Sequence, residues 1–415
     1  RRAAGPHVTA VAPASGDASR PLRARSYASL HLDAVRGVAA LAVVIYHIRY
    51  NFFLDYADVA AHTVVGQVFY VATSYGHDAV MIFFVLSGYL ISGTILKDLG
   101  RRDWSWGRYL LHRLVRLYVV LIPGLLLTLF WDSLGLHLFP LHPAYTGAPQ
   151  PWINDFFRVQ DRLTPKIFFA NVGFLHAISG IPPFGTAGQL WSLTYEFAYY
   201  LVCPAALLAV WPTTSWPKRV VSAGLALAFA YHFGTAILLR FPIWLLGLLV
   251  RFVPQARAIE RVAPLTRNSA AAGLALLGIS LTHTGWSRSL TGGSIMTADY
   301  IVGVLFTLAL YVLLHDRRTA ADGMYARLAG ATAAFSYTLY VAHMSLLVFL
   351  RAAVIDGIPW VPTPQTIVTA ALVFVVVVAY AGALWWLTEA RTDQVRAFVA
   401  ARVVAMRARL VQDAA

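Results

Sequence analysis

Two residues in the stretch LDAVRGVAALAVVIYH, 32–47, are out of place in a lipid-facing helix: Arg36 and His47. Ten residues separate them, and eight of those are Ala, Val, Leu or Ile. An unpaired charge inside a bilayer costs several kcal/mol, so an ionisable group there is a candidate for function by default. Eleven helical steps of 100° put both side chains on one face, roughly 16 Å apart along the axis. They cannot touch, but both can line one passage. A guanidinium at its mouth suits a phosphate-bearing donor. A buried neutral imidazole suits removal of a proton from a hydroxyl. A snorkelling Arg and a hydrogen-bonded structural His account for the spacing equally well.

Three further stretches carry the same kind of signal. In RYLLHRLVRLYVVLIP, 108–123, Arg113 and Arg116 are three apart and share a face at the entry to an apolar run, where a pair could hold a polyphosphate or simply flank the span. In GQLWSLTYEFAYY, 188–200, Glu196 lies about two turns into a span, where a carboxylate needs a cation or an imidazole. If Glu196 and His47 lie at comparable depth, the carboxylate would fix the tautomer of the ring and stabilise its protonated form. Trp191 and Tyr195 fit an interfacial belt. In FSYTLYVAHMSLL, 335–347, Tyr337, Tyr340 and His343 recur every three residues, a pattern that also fits a helix-packing stripe. The small residues Ser87, Gly88 and Gly93 of FFVLSGYLISG, 83–93, are expected to let helices approach closely.

The elements that must position these residues are membrane helices. The 415-residue chain is 59% hydrophobic and 13% charged, about half the charged share of a soluble protein, and its apolar residues come in long blocks. The expected fold is an all-α polytopic membrane protein with ten spans, near 36–54, 77–96, 114–131, 190–210, 219–239, 241–252, 268–284, 299–315, 332–350 and 365–387. With both termini cytoplasmic, 25 of the 33 Lys and Arg fall inside, six fall outside, and Arg36 and Arg49 sit at the ends of the first span. The net charge of +14 then reflects topology and anionic lipid, with no nucleic acid as a partner. A single Cys203, and no His-x-x-x-His or Cys-x-x-Cys pair, argue against a disulfide framework and a metal site. Residues 1–29 are expected to form a disordered cytoplasmic tail, residues 30–390 the transmembrane domain, and residues 391–415 a basic cytoplasmic tail. No cleavable signal pattern precedes the first span, which is expected to stay as an anchor. The long outer loop 132–189, with Pro140, Pro143, Pro149, Pro151, Trp152 and Pro165, fits an ordered cap over the outer mouth and equally a variable surface loop.

Taken in chain order, these stretches resemble the acyltransferase-3 family of integral-membrane O-acyltransferases. The residues that carry the resemblance are Arg36 and His47, FFVLSGYLI at 83–91, Arg113 and Arg116 in HRLVRLY, WSLTYE at 191–196 and SYTLYVAH at 336–343. They run from about residue 30 to 387, almost the whole chain. Two positions depart from the family pattern: Tyr118 stands where a Pro usually follows the second Arg, and Met81-Ile82 stand where an acidic residue often precedes the Phe pair, leaving Asp78 as the nearest carboxylate.

The resemblance implies transfer of an acyl group, usually acetyl, from acyl-CoA to a hydroxyl of an envelope or exported glycan, in a bacterial inner (plasma) membrane. Acyl-CoA is then a co-substrate, no cofactor is tightly bound, and the other partners are the hydroxyl acceptor and membrane lipids. The chain runs 28 residues past the last expected span, which fits the stand-alone form without a hydrolase-like domain. The implied roles are Arg36, Arg113 and Arg116 on the coenzyme phosphates, His47 as base with Arg36 at its passage, and Glu196 orienting His47. Trp191, Ser192, Tyr340 and His343 would line the substrate site. A covalent acyl-histidine is a variant of the same scheme. The rival from another class is a multi-span transporter or flippase of a glycan or small acid, which would show inverted repeats and matching broken helices that the sequence lacks.

Overall fold

The computed structural model describes residues 25–147, 157–178, 180–283, 294–355 and 357–413. Most of the expected N-terminal tail therefore lies outside the described residues. The helices used below are α1 (Tyr27–Phe52), α2 (Val64–Ala72), α3 (Gly76–Gly100), α4 (Trp106–Leu138), α5 (Pro165–Val172), α6 (Trp191–Val210) and α7 (Trp216–Leu238). They continue as α8 (Phe241–Leu249), α9 (Pro264–His283), α10 (Ile295–Leu313), α11 (Met324–Ala334), α12 (Ser336–Val354), α13 (Pro364–Leu387) and α14 (Thr392–Asp413). No strand forms among the described residues, only two isolated bridges, Ser26 with Thr319 and Phe53 with Trp360.

Eight helical segments are long and apolar enough to cross a membrane among the described residues. The other two expected spans are helical as well. One, α8, has only nine residues; the other, α9, opens on Pro264-Leu265-Thr266-Arg267-Asn268 and is less apolar. The molecule is an all-α polytopic membrane protein. Its outer surface carries exposed Leu126, Phe130, Val368, Val375 and other large apolar side chains, as a lipid-facing surface must.

Helix boundaries follow local chemistry. The first helix begins at Tyr27, earlier than the apolar run, because the Ser26 hydroxyl accepts the Ser29 N–H as an N-cap. Ser105 caps α4 on the Arg108 N–H. Thr363 and Thr366 form a reciprocal capping box at α13, with Pro364 in the first turn. The C-terminal segment expected as a tail is the helix α14.

Two faces set the frame of the site. On one, α1 packs between α3, α11, α12 and α13. Gly37 makes the α11 contact possible, since a Cβ there would lie 2.1 Å from Thr332 Oγ1. On the other, α3 and α8 meet backbone to backbone: a Cβ on Gly88 would fall 1.9 Å from the Trp244 carbonyl, and one on Gly247 would fall 2.0 Å from the Val85 carbonyl. The small residues of 83–93 thus do permit close helix approach.

The fourth helix runs to Leu138, so the outer connection starts later than residue 132. Its described part folds onto the bundle as short helices. Asp132, fully buried in α4, accepts the Thr186 N–H and hydroxyl, each at 2.8 Å. Asn171 holds the same segment through Ile167 O, Pro182 O and the Phe184 N–H. Gly185 adopts φ +52°, and a Cβ there would strike Asp132 Oδ2 at 2.1 Å. Tyr118, at the position that departs from the family pattern, donates to Val172 O at 3.1 Å and stacks on Phe174, so it anchors this segment to α4.

Candidate active site

Among the described residues a cavity lies at each end of the α1–α12 pair. The first, of about 140 Å³, is lined by Arg36, Arg116, Ser192, Glu196, Tyr200 and Tyr340 among others. The second, of about 370 Å³, lies under the outer connection and is lined by Asn51, Arg162, Thr186, Met344 and Arg351 among others. Between them along both helices stand His47 and His343.

At the first cavity, Arg36 donates to Ala333 O at 2.8 Å and lies 3.8 Å from Asp33. Arg116 lies 3.8 Å from Glu389. Glu389 in turn accepts the Thr338 N–H and hydroxyl at 3.2 and 2.7 Å, capping the first turn of α12. Two guanidinium groups therefore face one space, each with a carboxylate behind it. Arg113 does not join them. It donates to Thr94 at 3.3 Å and sits over the Tyr109 ring.

Glu196 accepts hydrogen bonds from Ser87 at 2.7 Å and from Tyr200. Ser87 accepts the Trp244 indole N–H at 3.1 Å. Glu196 makes no bond to His47, which corrects the pairing expected from depth. The depth count assumed that α6 begins at the outer surface. It begins inside the bundle: Gln189 and Leu190 are buried, the Gln189 side chain donates to Val341 O at 2.8 Å, and Tyr340 donates to Gln189 O at 2.7 Å. Two more turns of α6 then carry Glu196 past the histidines toward Arg36.

The partner of His47 is His343. Their Nδ1 and Nε2 atoms lie 3.0 Å apart, and the other nitrogen of His343, Nδ1, lies 2.9 Å from Leu339 O. A carbonyl only accepts, so His343 Nδ1 carries the proton and its Nε2 is a lone pair. With both rings neutral, His47 Nδ1 must donate to that lone pair. The remaining nitrogen, His47 Nε2, is therefore unprotonated, an assignment that follows from the bonds made. His343 is fully buried, which fixes the donor–acceptor chain.

The other expected substrate residues divide. Ser192 and Tyr340 line the first cavity and share a 2.6 Å hydrogen bond. Trp191 turns away from it, toward His77, Phe84 and Arg240. Asp78 pairs with His283 at 2.6 Å and does not reach the cavity. Ser87, Tyr200, Glu389 and Arg351 were not singled out as polar members of the site. Ser87 and Tyr200 look like ordinary small and belt residues, but Tyr200 stands one turn from Glu196, and that spacing is a usable signal.

Outside the spans, two titratable groups hold the frame. His176, buried in the outer connection against Thr194 at 2.9 Å, is pushed down by burial to about 4 and stays neutral. Asp316 would be raised by burial, but its bonds to Arg318, His31 and Arg267 hold it well below the usual carboxylate range.

The histidine pair thus stands along α1 and α12 between the residues that line one cavity and those that line the other. Residues 30–386 match the family described as the acyltransferase domain, Acyl_transf_3, and the chain belongs to that family. It is 25% identical over 196 residues to the peptidoglycan O-acetyltransferase OatA of Listeria monocytogenes, covering 46% of this chain and 26% of that protein. It is 26% identical over 182 residues to a Bacillus subtilis protein named "Putative peptidoglycan O-acetyltransferase YrhL", covering 43% of this chain and 23% of that protein. The match thus spans about a quarter of the length of these relatives. No solved structure gives a significant match.

Proposed function

We propose that this protein is a membrane O-acyltransferase that moves an acetyl or other acyl group from acyl-CoA to a hydroxyl of an envelope glycan. The observation that supports this best is the hydrogen-bonded His47–His343 pair, which stands along α1 and α12 between the residues lining the two cavities, inside a chain of the acyltransferase family.

The smaller cavity takes the donor. At about 140 Å³ it lies below the size of ordinary ligand pockets, so it accommodates the pantetheine arm of the coenzyme, with the thioester directed on toward His47, and leaves the nucleotide at its opening. Arg36 and Arg116 meet the phosphates there by charge-assisted hydrogen bonds. Arg113, bound to Thr94, takes no part in this contact. Glu196, held by Ser87 and Tyr200, keeps a lone pair for the amide N–H groups of the pantetheine arm. The acceptor enters the larger cavity from the opposite end. His47 Nε2 takes the proton of its hydroxyl as the oxygen attacks the thioester carbonyl. The carbon–sulfur bond then breaks, and the thiolate leaves with that proton. His343 is the positioning residue that holds the reactive tautomer, the part first assigned to Glu196. In this scheme the termini and the donor cavity lie on the cytoplasmic side of a bacterial inner membrane.

The test is direct. Purified protein incubated with labelled acetyl-CoA and peptidoglycan fragments should leave ester-bound label on the glycan, released by mild base. Label that stays on coenzyme A or passes to water at the rate of an enzyme-free control would refute the assignment.

A further inference from the structure

The larger cavity contains a charge the scheme above does not use. Arg351, on α12, lines it and is only 4% exposed. Among the described residues its Nε is a buried donor without an acceptor. No Asp or Glu lines the cavity among the described residues, whereas Arg162 and Asn51 do. Other buried charges among the described residues have charged partners, Arg267 with Asp316, Arg240 with Asp299 and Asp78 with His283, and buried Asp132 is held by two hydrogen bonds from Thr186. A buried, unpaired guanidinium is costly, and such a cost persists where a ligand offsets it. Arg351 lies two turns beyond His343 on the same helix, about 12 Å along the axis. Its Cα–Cβ bond tilts back toward the helix N-terminus, hence toward the histidines. Asn51 ties the floor of the cavity to the same pair, donating to His47 O at 2.7 Å and touching Met344 Sδ.

We infer that Arg351 is an anion-binding residue of the acceptor site, and that the acceptor is a hydroxyl compound carrying a carboxylate or phosphate about one sugar ring from the hydroxyl that is acylated. This rests on the transferase assignment for the word acceptor, but not for the anion. The guanidinium binds the anion through two parallel N–H bonds, which sets the register of the sugar against His47 Nε2 and excludes neutral glycans by leaving Arg351 unpaired.

The test uses the full-length protein in uncharged detergent and follows binding by thermal stabilisation. The soluble probes are N-acetylmuramic acid, its carboxyl methyl ester and inorganic phosphate. The acid or phosphate should stabilise the wild type, while the ester should bind at least about tenfold more weakly, the scale of one charge-assisted hydrogen bond. Whichever anion is effective identifies the group as carboxylate or phosphate. Arg351→Met should lose the preference for acid over ester, Arg351→Lys should keep part of it, and Arg351→Met without ligand should unfold at the same temperature as the wild type or higher. Equal binding of acid and ester together with no response to phosphate would overturn the proposal, as would an Arg351→Met protein that binds the anions like the wild type. Stabilisation produced only by phosphatidylglycerol in mixed micelles would assign the cavity to a lipid headgroup and overturn it as well. The acid-against-ester measurement on the wild type needs no variant to fold. Coenzyme A, titrated into the same samples, reports the other cavity. No response to it with the acid preference intact would sink the transferase assignment alone, and the reverse pattern would sink the anion site alone.

Discussion

The two cavities differ most in how their arginines are compensated. At the donor end Arg36 has Asp33 and Arg116 has Glu389, each at 3.8 Å. At the outer end Arg351 has no carboxylate among the described residues. Compensation lets the donor end stay folded and charged while empty. The outer end has no such counter-charge, so its arginine gains most from an incoming anion. Between them the histidine pair is directional, with its donors running from His47 to His343 to Leu339 O. In the proposed scheme the two ends supply electrostatics and the middle proton transfer.

The sharpest way to break that division is at the middle. Replacing His47 by Ala should lower acetyl transfer by about a thousandfold, the range of general base catalysis, with coenzyme A binding unchanged in an equilibrium titration. A variant that retains a tenth of the activity would move the base elsewhere. His343 should give a smaller and more telling effect. His343→Leu removes the acceptor for His47 Nδ1–H and frees the tautomer, at a cost of about ten- to hundredfold in kcat with KM unchanged. His343→Gln restores a carbonyl acceptor and should recover much of the loss, and equal damage by Leu and Gln would reduce His343 to packing. At the donor end, Arg116→Ala should raise KM for acetyl-CoA by about tenfold with little change in kcat, since it removes one of two charge-assisted contacts. A fall in kcat alone would place Arg116 at the reacting atoms and erase the distinction between ends.

The smallest effect concerns the outer connection. His176 binds no proton in the fold above about pH 4, whereas the unfolded chain binds one below about 6.5. The unfolded state thus holds more protons in that window, and stability falls as pH is lowered through it. Thermal unfolding between pH 7 and 4 should show this loss in the wild type and a flatter profile in His176→Phe. Identical profiles would mean that His176 is not held neutral.

How much of this was legible in the sequence depended on what fixes each residue. Arg36 and His47 share a face because helical geometry alone decides that. Arg116, Ser192, Glu196 and Tyr340 were each legible as polar groups in apolar runs, and they do meet in one cavity. Depth was not legible. It depends on where a helix begins, and α6 begins below the surface because Gln189 and Tyr340 bind each other's elements inside the bundle. This is why Glu196 was matched to His47 and His343 was left to the substrate. Arg351 at the end of a span reads as an ordinary flanking charge, and only the fold shows that no carboxylate lines its cavity among the described residues. Glu389 reads as the start of a tail, yet it caps α12 and backs Arg116 across a long sequence separation.

The central claim is that one imidazole joins two spaces that open on opposite faces of the membrane. It is tested most directly in proteoliposomes holding an anionic glycan acceptor inside, with labelled acetyl-CoA added only outside, and with the orientation of the protein checked by protease. The expected result is label on the enclosed glycan in the fraction oriented with its termini outward, and none with His47→Ala. Transfer that requires donor and acceptor on the same side, or that proceeds equally without His47, would contradict the account.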